Sequence, residues 1–491
     1  MAEVDVVIVG AGISGIGAAY HLQTICPSRT FTILEGRPDL GGTWDLFRYP
    51  GVRSDSDMHT LGFNFKPWTA AKAIADGPSI LEYLNETVDE FGIRSKIRFN
   101  NLVRAAHWDS ASNEWRLEVD NNGTRGTVTC NYLFMCSGYY SYKGGYDPDF
   151  PGKQQFTGRI VHPQKWPNDL DFEGKKVAVI GSGATAMTIV PSMATNAAHV
   201  TMIQRSPTYV VARPDVDRVA NLLRKVLPEA TAYKVVRWKN TTLQQFFYRK
   251  TRESPEPAKE RLLKMVTEAL PDGYPVDEHF TPSYNPWDQR LCLLPNGDLF
   301  EAIKNGTASV VTGTIDSFTP TGIRMSSGDH VEADIIVTAT GLNLVTLGEM
   351  DFTVDGEQVD FASTFTYKGF AYSGIPNMAS SFGYINASWT LRSDLIAEYV
   401  CRLLDHMDKV GAARCTPVLK PGEESMERRP WITGFTPGYM NRVMHMFPSQ
   451  GDHEPWINPQ NFSADREMFR KGAVDDGTME FAGVTAAATR V

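Results

Sequence analysis

Two glycine-rich turns, each lying between a β-branched apolar run and a helical segment, constrain the fold of this chain more than any other feature. The first is GAGISG at residues 10–15, after VDVVIV, and the second is GSGATA at residues 181–186, after KKVAVI. In such a strand, turn and helix unit, the glycines let the backbone approach a pyrophosphate at the helix N-terminus. The repeat therefore predicts two dinucleotide sites in one chain.

The residues that end the second strand of each unit carry opposite charges. Glu35 follows the first unit, whereas Arg205 and Ser206 follow the second. A carboxylate in this position accepts hydrogen bonds from a free ribose 2'-hydroxyl and repels a 2'-phosphate, whereas a guanidinium pairs with that phosphate. We therefore expect two different dinucleotides, with NADPH preferred over NADH at the second site.

Bulk composition bounds the class of protein. A chain of 491 residues is long enough for two or three domains, and its net charge of -9 argues against a nucleic-acid partner. The six cysteines show no spacing typical of a metal site or a redox dithiol, so no metal is expected, and reduced thiols fit a cytoplasmic protein. No transmembrane segment is expected, and loose membrane association stays open.

The order of elements predicts an α/β fold with two Rossmann-like dinucleotide-binding domains, one of them interrupted by the other. The run VEADIIVTATG ends a predicted buried strand of the second domain, and a strand and an amphipathic helix follow at 371–406. The predicted division is a first dinucleotide domain over 1–140, a second over 141–213 and 281–340, a helical insertion over 214–280, and a return to the first domain over 341–491, with a mobile tail.

Two further segments have unusual composition. GGTWDLFRYPGVRSD at 41–55 combines glycines, aromatic residues and charges, which suits either a loop along a flat ring or a plain surface loop. FTGRIVHPQKWP at 156–167 joins the two units, and its residues alone favour a hinge that packs His162 and Trp166 against a core. Residue chemistry does not separate the two interpretations of the 41–55 segment, whereas at 156–167 it favours the hinge over a catalytic pair.

Both segments resemble the signatures of the Baeyer-Villiger monooxygenases. The pattern FxGxxxHxxxWP is matched by Phe156, Gly158, His162, Trp166 and Pro167. The second signature, [A/G]GxWxxxx[F/Y]P[G/M]xxxD, is matched over residues 41–55, and ATG at 339–341 resembles a third shared motif. The resemblance spans nearly the whole chain.

This resemblance implies FAD and NADPH as cofactors, and oxygen insertion from O2 next to a ketone carbonyl through a flavin C4a-peroxide. Esters or lactones are the implied products, and sulfides or thioamides are further implied substrates. Arg290 resembles the active-site cation and Asp55 its acidic partner, while Phe156, Gly158, His162 and Trp166 are implied to position the domains. The cofactor-binding residues predicted from the fingerprints and the resemblance are Gly10, Gly12, Ser14, Gly15, Glu35, Gly42, Thr43, Trp44, Arg53, Ser54, Asp55, Val103, Gly181, Ser182, Gly183, Thr185, Arg205 and Ser206.

Three other functions use similar nucleotide domains. A flavin-containing monooxygenase acting on nitrogen or sulfur is disfavoured by Trp166 and Pro167, and a disulfide reductase by the lack of a CxxxxC pair near the first helix. A flavin-binding redox sensor without turnover remains an alternative. The identity of the ketone or sulfide and the oligomeric state are not predicted.

Overall fold

The computed structural model describes residues 2–483, which fold around two large β-sheets, one mixed and one parallel. Of the predicted tail, residues 484–491 lie outside the described part, while 479–482 form a strand. The strands are β1 (Val4–Val9), β2 (Phe31–Leu34), β3 (Ile97–Arg98), β4 (Asn101–Asp109), β5 (Glu114–Asn121), β6 (Thr124–Met135), β7 (Arg159–Val161), β8 (Lys176–Ile180), β9 (His199–Gln204), β10 (Val210–Arg213), β11 (Cys292–Pro295), β12 (Ala308–Thr312), β13 (Ile315–Thr319), β14 (Gly322–Met325), β15 (His330–Glu332), β16 (Ile335–Thr338), β17 (Asp351–Val354), β18 (Glu357–Gln358), β19 (Thr366–Tyr367), β20 (Ala371–Tyr372), β21 (Met378–Ser380), β22 (Arg414–Pro417) and β23 (Met479–Ala482).

The helices follow the predicted pattern, including a helical insertion after the second unit. They are α1 (Ile13–Ile25), α2 (Thr43–Leu46), α3 (Met58–Leu61), α4 (Gly77–Glu90), α5 (Ala184–Met193), α6 (Arg218–Val226), α7 (Glu229–Glu253), α8 (Pro255–Ala269), α9 (Val276–His279), α10 (Asp298–Lys304), α11 (Thr390–Val410), α12 (Gly438–Asn441) and α13 (Phe462–Lys471). Within residues 2–483, no helix is long and apolar enough to cross a membrane.

The first sheet contains the first glycine unit. Its strands run in the order β18-β17-β4-β5-β6-β1-β2-β3, and β21 pairs with β6. Strands β3, β2, β1, β6 and β21 are parallel, β5 pairs antiparallel with β4 and β6, and β17 pairs parallel with β4. Because β17 and β21 come from beyond residue 350, strands from the C-terminal part of the chain complete this sheet.

The second sheet is entirely parallel, with the order β12-β9-β8-β16-β7. Strand β8 leads into the second glycine turn and α5, and β16 is the strand predicted within VEADIIVTATG. Apart from Lys176, the residues of β8 and β16 are buried whichever face of the sheet they lie on, which explains the continuous β-branched runs in the sequence. The predicted class of two Rossmann-like domains is confirmed.

The chain crosses between the sheets twice, after β6 and after β16, and the two linkers lie side by side. Their backbones are joined by hydrogen bonds from Ser141 N to Asn343 O (2.9 Å), from Val345 N to Tyr139 O (3.0 Å) and from Tyr146 N to Gly341 O (3.0 Å). Two linkers joined by hydrogen bonds are stiffer than two separate irregular segments. The pair therefore fixes the spacing of the two domains near their glycine loops.

Candidate active site

Both glycine loops open into one cavity of about 870 Å³, which we call the central cleft. Because each loop follows a parallel strand, it lies at the carboxyl end of its sheet, where α/β proteins bind their ligands. The predicted residues that line the central cleft are Gly10, Gly12, Ser14, Glu35, Gly42, Thr43, Trp44, Arg53, Ser54, Asp55, Gly181, Ser182, Gly183, Thr185, Arg205, Ser206 and Arg290. The fold thus brings residues from both units and from the 41–55 segment to a single site.

The first glycine loop passes too close to neighbouring backbone for a side chain at Gly10 or Gly15. Gly10 has φ +104°, and a Cβ there would lie 2.6 Å from the carbonyl oxygen of Cys136 at the end of β6. A Cβ at Gly15 would lie 1.9 Å from the carbonyl oxygen of Gly10, so helix α1 starts directly against the strand. The backbone N–H groups of this turn can therefore approach a pyrophosphate without a side chain between them.

The second loop repeats this geometry. Gly181 has φ +133°, and a Cβ there would lie 2.3 Å from the carbonyl oxygen of Ala339, which follows β16. A Cβ at Gly183 would meet nothing within 4 Å, so this turn has free space on its cleft side. The Ser182 hydroxyl bonds the Ser206 carbonyl oxygen at 3.1 Å and the Thr208 hydroxyl at 3.0 Å, which ties the turn to the loop after β9.

Glu35 is held rigidly although it is almost fully buried, with 2% of its surface exposed. Its carboxylate accepts hydrogen bonds from the backbone N–H groups of Ala11 (2.7 Å) and Arg37 (2.9 Å). Burial raises the pKa of Glu35, and these two N–H groups oppose that shift. The carboxylate faces the central cleft at the end of β2, where it fits a ribose with both hydroxyls free.

Arg205 has the opposite character, because it is exposed at the edge of the central cleft beside Ser206. Within residues 2–483, no carboxylate lies within 4 Å of its guanidinium. A cation that the protein itself does not neutralise, next to a hydroxyl, fits a phosphate dianion. The contrast in charge predicted at the two nucleotide sites is therefore present in the cleft.

The 41–55 segment is a bridge between the two sheets rather than a surface loop. It starts against the first glycine loop, where a Cβ at Gly42 would lie 3.1 Å from the Cα of Gly12. Phe47 and Tyr49 are buried in the core of the second sheet, where burial raises the pKa of Tyr49 to about 12 and the nearby Thr185 side chain opposes that rise. One segment thus contacts both nucleotide loops.

Gly51, in the same segment, packs directly on helix α5. Its φ is +75°, and a Cβ there would lie 1.8 Å from the Ser192 hydroxyl. Arg53 follows and pairs with Asp298 in the first turn of α10, while its second terminal nitrogen, Nη2, is buried without a partner in the described structure. An unpaired buried donor beside the cleft fits an anionic ligand. The Ser54 hydroxyl is instead engaged within a turn, with the backbone of Ser56.

Arg290 and Asp55 form an ion pair on the wall of the central cleft, with 3.5 Å between Arg290 Nη1 and Asp55 Oδ2. About a third of each side chain is exposed, at 35% and 40%, so the pair faces the cavity. Burial acts to lower the pKa of Arg290, but Asp55 and the hydroxyls of Tyr439, Tyr139 and Tyr140 outweigh it and raise the pKa. Arg290 is therefore charged near neutral pH.

The FxGxxxHxxxWP segment acts at the linkers, outside the central cleft. His162 Nδ1 accepts the Gln164 N–H at 3.2 Å, so Nε2 carries the proton and donates to the Gly341 carbonyl oxygen at 3.2 Å. Burial lowers the pKa of His162, which keeps this tautomer neutral. Phe156 is buried in the core beside the second sheet, and a Cβ at Gly158 would lie 2.1 Å from the Asp334 carbonyl oxygen.

Two predicted contacts, Gly15 and Val103, do not line the cleft, and several cleft residues were not predicted. Val103 lies in β4 with its side chain buried in the core of the first sheet, so its contact with FAD stays a prediction. Sequence reasoning missed three tyrosines near Arg290, namely Tyr139, Tyr140 and Tyr439, and also Tyr384, which lines the cleft. Tyr139 and Tyr140 lie in the linker that follows β6, close to the carboxyl end of that strand, a position that could have signalled them. Trp389 also lines the cleft and donates to the Ser14 hydroxyl at 2.7 Å.

Comparison with known proteins agrees with this geometry. Residues 8–76 match the family described as NAD(P)-binding Rossmann-like domain, and residues 73–267 match the family described as flavin-binding monooxygenase-like. The chain is 53% identical over 481 residues to the FAD-containing monooxygenase EthA of Mycobacterium tuberculosis, covering 98% of both chains. This chain belongs to the FAD-containing monooxygenases. It is therefore a flavoprotein enzyme, as predicted, and FAD is its flavin.

Other relatives of this FAD-containing monooxygenase cover similar lengths. The probable FAD-binding monooxygenase AlmA of Acinetobacter baylyi is 48% identical, with 98% of this chain and 96% of AlmA covered. Among solved structures, a steroid monooxygenase bound to NADP has a TM-score of 0.79 at 23% identity, covering 97% and 99% of the two chains. OTEMO in complex with FAD and NADP has a TM-score of 0.76 at 21% identity, covering 98% and 100%. These structures share the fold.

Proposed function

We propose that this FAD-containing monooxygenase uses NADPH and O2 to insert one oxygen atom next to a ketone carbonyl, giving an ester or lactone, and that it also oxidises sulfides or thioamides. The observation that carries the proposal is the convergence of both nucleotide loops and of the Arg290–Asp55 pair on the central cleft. FAD, when bound, supplies the chemistry with dioxygen. The protein supplies position, charge and exclusion of water.

The first and second glycine loops are assigned to different cofactors by charge. Glu35 and the loop around Gly10 and Gly12 would hold the adenosine half of FAD, because the buried carboxylate accepts ribose hydroxyls. Arg205, Ser206 and the loop at Gly181 would hold NADPH. In the matching domain division, residues 1–140 and 341–491 form the domain that would bind FAD. Residues 141–213 and 281–340 form the domain that would bind NADPH, and residues 214–280 are a helical insertion within it.

Within the cleft, Arg290 is the fixed cation. A guanidinium that cannot lose its proton stabilises negative charge that develops on oxygen during the reaction, and does so best where water is excluded. Asp55 orients it, and a second restraint comes from Ile385, whose carbonyl oxygen accepts from Arg290 Nη1 at 3.4 Å. The tyrosines around Arg290 and the ring of Trp389 form a largely apolar wall suited to a hydrophobic ketone or sulfide.

His162 is proposed as a residue that positions domains. It bonds the second interdomain linker and does not reach the cleft, so it has no role as an acid or base. Because that linker leads from β16, the His162 bond would set the distance between the two cofactor sites. A small-molecule substrate, O2 and a cytoplasmic location follow from the same proposal.

Product analysis tests the proposed function. The purified holoenzyme is supplied with NADPH or NADH and a panel of linear, cyclic and aryl ketones and sulfides, and the products are identified by gas chromatography. We expect NADPH-dependent ester or lactone formation. Oxidation of sulfides without any ester would instead favour a nitrogen- and sulfur-oxidising monooxygenase. Oxidation of NADPH that yields only hydrogen peroxide across the panel would contradict the proposal.

A further inference from the structure

The helical insertion exposes an unusual combination of apolar and basic side chains. On α6, exposed residues fall within one arc of about 120° at 100° per residue. They are Arg218, Val219, Leu222, Lys225 and Val226. Leu222 and Val226 expose 62% and 68% of their surfaces, which is far more than core-facing residues of an amphipathic helix expose. This arc has no packing partner within the described chain.

Helix α7 repeats the pattern along its length. Lys234, Val235, Trp238, Phe246 and Arg249 are all exposed and lie on one stripe of about 22 Å at 1.5 Å per residue. Trp238 exposes 66% of its surface. A tryptophan is normally buried or at an interface, so a monomer that leaves it in water forgoes much of the free energy of its burial.

The charge of these helices is opposite to that of the chain. Residues 218–252 contain nine Lys and Arg and one acidic residue, although the whole chain has a net charge of -9. Nearby carboxylates, those of Asp217, Glu253 and Asp288, pair with Lys239, Arg249, Lys250 and Arg252. Among residues 2–483, no carboxylate lies within 4 Å of Arg218, Lys225 or Lys234. The exposed arc and stripe therefore carry positive charge that the protein does not neutralise.

The inner faces of both helices are anchored to the same part of the first domain. Arg237 of α7 donates to the carbonyl oxygens of His59, Thr60 and Gly62, and Arg224 of α6 donates to those of residues 69 and 70. Because both inner faces contact residues 57–72, both outer faces point away from that segment. The outer faces are thus a fixed feature of the fold.

We propose that these outer faces form one membrane-binding surface that docks on an anionic lipid bilayer. The basic-apolar face is defined by Arg218, Val219, Leu222, Lys225, Val226, Lys234, Val235, Trp238, Phe246 and Arg249. Apolar side chains of this kind enter the boundary between headgroups and acyl chains, and Lys and Arg contact the anionic headgroups around them. The charge is complementary to an anionic surface, and the tryptophan suits the interfacial region. The enzyme would associate peripherally, with α6 and α7 in the plane of the membrane.

Vesicle co-sedimentation tests this proposal with the FAD-loaded enzyme. Vesicles of phosphatidylcholine alone are compared with vesicles containing equal parts of phosphatidylglycerol, at low and high NaCl. We expect binding to the anionic vesicles that weakens as salt rises. Replacing three basic residues (Arg218→Gln, Lys225→Gln, Lys234→Gln) should lower the partition coefficient on the order of 100-fold. Replacing three apolar residues (Leu222→Ser, Val226→Ser, Trp238→Ser) should also lower the partition coefficient on the order of 100-fold, because the groups that enter the bilayer are lost.

Matched control variants carry the same kinds of change elsewhere. Arg104→Gln, Lys304→Gln and Lys409→Gln remove three exposed charges, and Ile25→Ser with Val410→Ser removes exposed apolar groups. These controls should bind vesicles like the parent, and every variant should keep its FAD content. Equal binding of the parent to both kinds of vesicle, or parent-like binding by both face variants, would overturn the proposal. A parent that sediments as a dimer without lipid, with the apolar variant as a monomer, would assign the face to a second copy of the chain instead.

Discussion

Replacing Arg205 with alanine tests the assignment of the second nucleotide site. The guanidinium is exposed and has no carboxylate within 4 Å in residues 2–483, so its removal leaves no buried group unpaired. The variant should fold normally and lose only the interaction with the 2'-phosphate of NADPH. A hydrogen bond to a charged group contributes about 1.5 to 3 kcal/mol. Because solvent screens the exposed guanidinium, we expect the lower value here, about 1.5 kcal/mol.

That loss corresponds to a fall of about tenfold in kcat/KM for NADPH. NADH lacks the phosphate, so its kcat/KM should change by less than about twofold, and the preference for NADPH should shrink accordingly. Steady-state rates with both nucleotides measure this, and Arg213→Ala, an exposed arginine of β10 outside the central cleft, is the matched control. An equal fall with both nucleotides, or no fall with NADPH, would refute the reasoning.

Three further variants probe the cleft and the domain junction. Arg290→Ala should keep flavin reduction by NADPH and slow ester formation about 100-fold, with partial recovery in Arg290→Lys; ester yield at the parent rate would exclude the assigned role. His162→Gln should have a free energy of unfolding about 1 to 2 kcal/mol lower than the parent at pH 7.5, measured in urea. Because burial lowers the pKa of His162 in the folded protein, the unfolded state takes up a proton first as the pH falls below about 6.5, the usual histidine value. The difference in free energy of unfolding between parent and variant should therefore shrink, and an unchanged difference at pH 5.5 would contradict the account. Gly51→Ala should destabilise about 1 to 3 kcal/mol more than Gly92→Ala in urea, since both have positive φ but only the former meets Ser192.

The fold was predictable because local pattern and tertiary structure agree in both nucleotide units. The β-branched runs before Gly10 and Gly181 become buried parallel strands with the predicted bounds to within a residue, since a strand covered on both faces requires apolar residues throughout. The return of the chain to the first sheet was also predictable, because a second unit inserted within the first leaves the later strands to complete it.

The geometry of the cleft was less accessible to sequence reasoning. Tyr439 and Tyr139 lie 300 positions apart and meet only around Arg290, and nothing local in either segment encodes that contact. The composition of the 41–55 segment is equally compatible with a surface loop, and only the packing of Gly51 on helix α5 shows that it is not one. Such contacts depend on how two domains are set relative to each other, which periodicity and composition do not report.

The central claim, that this enzyme inserts an atom of dioxygen next to a ketone carbonyl, is tested most directly by isotope labelling. The holoenzyme is supplied with NADPH and a ketone that its product analysis identifies as a substrate, under oxygen-18 gas, and the product is examined by mass spectrometry. The account predicts an ester or lactone in which one atom of oxygen-18 has been incorporated. A product without the label, or consumption of NADPH with the ketone unchanged, would contradict it.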